Sequence, residues 1–68
     1  MSTSNYESLF RQSADSWEQV TASVVSLMFE RAEQNGYRIS AFKNWLLKQP
    51  LTSYTRSRVE SIYQDFKN

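Results

Sequence analysis

From Tyr6 to Gln34 apolar residues return every three or four positions, with no glycine or proline to interrupt them. That period belongs to an α-helix. Ser4 followed by Glu7 has the spacing of a capping box at its start. Asn35–Gly36 supplies the residue pair that can turn left-handed and stop it. The expected element is one long helix over about residues 5–34, roughly 43 Å from end to end at about 1.5 Å per residue.

Projected at ~100° per residue, Phe10, Trp17, Thr21 and Met28 fall along the middle of the apolar face. Tyr6, Val20, Val24 and Leu27 flank it on one side, and Ala14, Val25, Phe29 and Ala32 on the other. The apolar arc spans roughly 200°, against the ~100° stripe a surface helix needs. Ser40 is placed to cap a second helix over about 41–49, with Ala41, Phe42, Trp45 and Leu46 on one face and Leu47 facing away. Pro50 ends it. A third helix is expected over about 53–66 with Thr52 as its cap and Val59, Ile62, Tyr63 and Phe66 as a narrow inward stripe. The sequence therefore predicts a single all-α domain over 1–68, in which two shorter helices pack against one long N-terminal helix.

Those two helices leave part of the wide arc uncovered. A second copy of the chain would cover it through Val20, Val24 and Leu27, which makes a homodimer the expectation.

Composition then removes whole classes of chemistry. The chain has 68 residues, no cysteine and no histidine. That takes away disulfides, the usual zinc ligands and the base of a nucleophilic triad. A single glycine cannot build a phosphate-cradling loop. Asp15/Glu18 and Glu30/Glu33 are spaced to share a cation, but they lie on the expected solvated arc, where charged side chains belong. No catalytic residue, cofactor or metal is expected. Ten aromatic residues instead promise a dense core. No apolar run reaches the length of a membrane span, about 20 residues. The opening "MSTSNYES" lacks the basic and apolar regions of a secretory signal, so a cytoplasmic protein is expected.

Charge is uneven. Residues 1–35 hold two basic against five acidic groups, and residues 36–68 hold six against two, a net −3 facing a net +4. The halves are expected to attract one another, and the basic half could also receive an anion. Residues 40–66 have the outline of a helix-turn-helix, whose second helix would open with "TSYTRSRVE". However, Arg56 and Arg58 are about 200° apart around that helix. The turn "QPLT" also lacks the glycine such turns often carry.

Two functional expectations result. The first is a small non-enzymatic regulatory protein, an adaptor or inhibitor, that binds a larger protein partner through Leu47, Tyr54, Arg56 and Arg58. The alternative is a nucleic-acid-binding protein that grips phosphates with Arg38, Lys43, Lys48 and Arg58.

Overall fold

The computed structural model describes residues 2–67, and side chains from Tyr6 to Lys67. Within those residues the chain is all-helical, with four α-helices rather than three: α1 (Ser2–Ser13), α2 (Ala22–Gln34), α3 (Ile39–Leu47) and α4 (Ser53–Lys67). A short 3-10 turn at Trp17–Gln19 lies between α1 and α2. Among them no helix is long and apolar enough to cross a membrane. The expected capping box involves the side chain of Ser4, which lies outside the described side chains; α1 itself already starts at Ser2.

The long N-terminal helix is corrected by a break at residues 14–21. Short polar side chains line it and satisfy its backbone. The Ser13 hydroxyl donates back to Leu9 O at 2.9 Å, a bond that competes with helix continuation. Asp15 N then turns to the Gln19 side chain at 3.3 Å. Ser16 is extended, with φ −148° and ψ 161°. Thr21 is extended as well, with φ −100° and ψ 177°. Its hydroxyl accepts from Val24 N as the N-cap of α2. Thr21 thus leaves the midline of an apolar face, where its hydroxyl would have been a liability, and starts a helix.

The break sends α1 back along α2. Gln12 meets Arg31 at 3.2 Å, and Tyr6 packs edge-on to Tyr37 at 5.6 Å, so the two helices run antiparallel. Trp17 stacks on Phe10 with ring centroids 3.9 Å apart and closes the corner. Asn35–Gly36 does end α2, as expected, with Gly36 at φ +80°. Gly36 N donates to Glu33 O and Tyr37 N to Ala32 O, the two bonds of a Schellman motif.

α3 lies two residues earlier than the sequence predicts, starting at Ile39 rather than about 41 and ending at Leu47 rather than about 49. Arg38 is its N-cap position and Ser40 lies inside it, so Ser40 caps nothing. Thr52 does cap α4, accepting from Thr55 N at 3.3 Å. α3 and α4 run antiparallel, with Lys43 against Glu60 and Leu47 against Arg56. α2 and α4 run in the same direction, because Val20 meets Thr55 at one end and Phe29 meets Phe66 at the other.

All four helices contribute to one core. Leu9 and Phe10 of α1, Val25, Met28, Phe29 and Ala32 of α2, Phe42 and Leu46 of α3, and Val59 and Ile62 of α4 are buried together with Val20 and Leu51. The radius of gyration is 10.7 Å, close to that of a compact chain of this length. The wide apolar arc is therefore covered from within, by α1 itself. The two oppositely charged halves pack together through α2, α3 and α4, but no ion pair among the described residues joins them. Of the two ion pairs among the described residues, Glu7–Arg11 lies in the acidic half and Lys43–Glu60 in the basic half.

One polar contact ties the break to the rest. Thr55 is 3% exposed; its hydroxyl donates to Val20 O at 3.0 Å and accepts from the Thr52 hydroxyl at 3.0 Å. Replacing it with an isosteric apolar side chain strands a carbonyl, which costs about 1–3 kcal/mol. Thr55→Val is expected to lower the free energy of urea unfolding by that amount, while Thr55→Ser retains most of it. Equal stabilities for Thr55→Val and the wild type would show that the Val20 carbonyl has another donor.

Candidate partner-binding surface

The turn between α3 and α4 is built around Arg56. The last carbonyls of a helix have no intrahelical donor. Here the Arg56 guanidinium reaches back and donates to Leu47 O and, at 2.8 Å, to Gln49 O. A cation at that position also faces the negative end of the α3 dipole. Gln49 adds a side-chain bond to Trp45 O at 3.0 Å, and Pro50 brings no N–H that would need a partner. Leu51 then drops into the core. Arg56 is consequently part of the scaffold: its guanidinium bonds backbone carbonyls while the residue itself stays exposed.

The other expected contact residues divide sharply. Leu47, expected to face outward, is half-buried and packs against the core. Tyr54 is 69% exposed, the most exposed large apolar side chain described. Arg58 is exposed and has no ion pair among the described residues. Four positions apart on α4, Tyr54 and Arg58 form one ridge. The Ser57 hydroxyl, bonded to Tyr54 O at 2.7 Å, lies beside them.

The expected phosphate-gripping set does not assemble. The Lys43 side chain is 17% exposed, pairs with Glu60 at 3.1 Å and sits over the Tyr63 ring at 4.7 Å, so its charge is occupied. Arg38 and Lys48 hold opposite ends of α3, about 15 Å apart along the axis. Glu60 lies one turn from Arg56 on α4, and Lys43 takes it instead. The contacts Lys43–Glu60 and Leu47–Arg56 keep α3 and α4 in one antiparallel register over a full turn, the pattern of an αα-hairpin.

The expected self-association set is divided as well. Val20 is buried inside its own chain, 1% exposed, and has no surface for a second copy. Val24 is half-buried, and Leu27, at 36%, is the one member with substantial exposure. A shallow concavity on the flank of α1 is lined by Glu7, Ser8, Arg11 and Gln12, whose polar groups already bond one another or Arg31. Compared with protein-family models, curated proteins and solved structures, the chain matches none.

The Arg56 brace was not predicted from the sequence; the spacing from "LKQP" to Arg56 is its only trace there. Arg56→Met keeps the aliphatic stem and removes the donors. Losing two carbonyl partners at the turn is expected to lower stability by about 1–2 kcal/mol. Each kcal/mol lowers Tm by roughly 4–8 °C in a domain of this size. A thermal melt by circular dichroism checks it, and an unchanged Tm would mean that the guanidinium does not brace the turn.

Proposed function

We propose that this chain works by binding another protein, as a small adaptor or inhibitor, with the Tyr54–Arg58 ridge of α4 as its contact. The observation that carries the reading is the 69% exposure of Tyr54 in a chain whose other aromatic rings from Phe10 to Phe66 are buried or half-buried. Tyrosine and arginine are the residue types in which interface energy concentrates. Both project from a helix whose first turn is fixed by the Thr52 cap, the Thr55 bond to Val20 and the Arg56 brace. A contact held that way loses little conformational freedom when it docks. The basic side chains, by contrast, are dispersed or paired, and no observation favours phosphate binding over this reading.

A photo-cross-linking residue at position 54, expressed in the protein's own host cells, tests it. The expected result is one discrete protein adduct, reduced about tenfold by Arg58→Ala, the effect of losing a contact of about 1–2 kcal/mol. The same probe at the exposed position 33 on α2 should not give that adduct. Identical products from both positions, or adducts to nucleic acid alone, would contradict the proposal.

A further inference from the structure

The corner between α1 and α2 is closed by a choice that the Val20 carbonyl makes between two donors. In this structure it accepts from the Thr55 hydroxyl at 3.0 Å. In an uninterrupted helix it would accept from Val24 N, which here holds only the Thr21 hydroxyl at 3.4 Å. No residue from Ala14 to Thr21 is glycine or proline, and Trp17–Gln19 is already a turn of 3-10 helix. The extended residues Ser16, Val20 and Thr21 are all types that helices admit. The corner is therefore a hinge that the local sequence allows to straighten.

Straightening moves α1 off its own body. A helix from residue 2 to residue 34 would be about 50 Å long, and no axis of the folded chain exceeds 28 Å. What α1 leaves behind is a groove of exposed rings. Tyr6 packs against Tyr37 at 5.6 Å, Phe42 at 5.4 Å and Trp45 at 5.6 Å, while Leu9 and Phe10 are buried. Every described tie from α1 to α2–α4 involves side chains; among the described residues no backbone–backbone hydrogen bond joins α1 to them. An identical α1 from another molecule fits that groove with the same contacts.

We propose that α1 is an exchangeable element: two copies of this chain straighten at residues 14–21 and each seats its α1 in the groove of the other. This inference is independent of the Tyr54–Arg58 reading, since that ridge lies on α4 and stays exposed in both forms. The closed chain wins at low concentration because its α1 is tethered. Exchange takes over as the protein concentration approaches the effective concentration of that tether, on the order of millimolar for a short connector.

The protein has no cysteine, so two can be introduced as reporters. Gln12 and Arg31 touch across the α1–α2 contact. Gln12→Cys and Arg31→Cys are joined by a short bis-maleimide after refolding at ~1 mM, near the effective concentration of the tether. They link within one chain in the closed form and between chains in the exchanged form. A denaturing gel separates the two. Inter-chain product is expected at ~1 mM and not at ~10 µM. Thr55→Val, which frees the Val20 carbonyl for Val24 N, is expected to raise it severalfold. Ser16→Ala with Thr21→Ala acts in the same direction without touching the core and replaces Thr55→Val if that variant does not fold. Ala22 is the first residue of α2 and follows the extended Thr21, a position where proline is tolerated. In the straightened helix the same position is interior, where proline breaks the ladder. Ala22→Pro should therefore abolish the inter-chain product. Intra-chain links alone at ~1 mM overturn the proposal. So does a dimer mass with intra-chain links, or an inter-chain product that Ala22→Pro leaves undiminished.

Discussion

The chain reversal between Ser13 and Ala22 determines what every other element does. A rigid rod of that length would leave its apolar arc wider than α3 and α4 can cover. Folding α1 back against α2 puts Leu9 and Phe10 where a second molecule would otherwise be needed. The reversal is secured at both ends: the Phe10–Trp17 stack holds it to α1, and the Thr55 hydroxyl holds the Val20 peptide to α4. Aromatic pairs add about 0.5–1.5 kcal/mol beyond their buried area, and a buried bond of this kind adds about 1 kcal/mol. Those are modest energies, which is why the competing helical path through the same residues matters.

Once the corner is made, the functional surface follows from what is left over. α2 buries Val25, Met28, Phe29 and Ala32, α3 lies between Tyr6 from α1 and Arg56 and Glu60 from α4, and α4 keeps Tyr54, Ser57, Arg58 and Ser61 exposed on its outer side. Arg56 and Arg58, which look alike in "TSYTRSRVE", end in opposite roles. One reaches across the surface to carbonyl oxygens and stiffens the α3–α4 turn; the other has no ion pair among the described residues and stands beside Tyr54. The brace and the ridge are thus products of the same separation, about 200° around one helix.

The punctuation of the chain was legible where a single residue type forces the backbone. Gly36 at positive φ, Pro50 at a turn and Thr52 as a cap all act locally, and so did their signals. The break at 14–21 was hidden because nothing there forbids a helix; tertiary burial decides it. Its traces were the cluster Ser13, Asp15 and Ser16, and the polar Thr21 on an apolar midline. Thr55 is missing from the expected stripe of α4, since its partner, Val20, lies 35 residues away. Lys43 captured Glu60 from 17 residues away for the same reason: pairings between helices cannot be read from spacing within one. Of the expected contact residues, Tyr54 and Arg58 lie exposed, whereas Leu47 and Val20 were misplaced by treating each helix as if it had only one neighbour.

The most direct test of the reversal is NMR of the isotope-labelled chain, kept dilute enough, well below the millimolar range, for the closed form to dominate. The structure predicts non-helical Cα shifts at Ser16, Val20 and Thr21, and an Overhauser contact between the rings of Tyr6 and Tyr37. Helical shifts running unbroken from Tyr6 to Gln34, with no Tyr6–Tyr37 contact, would contradict it.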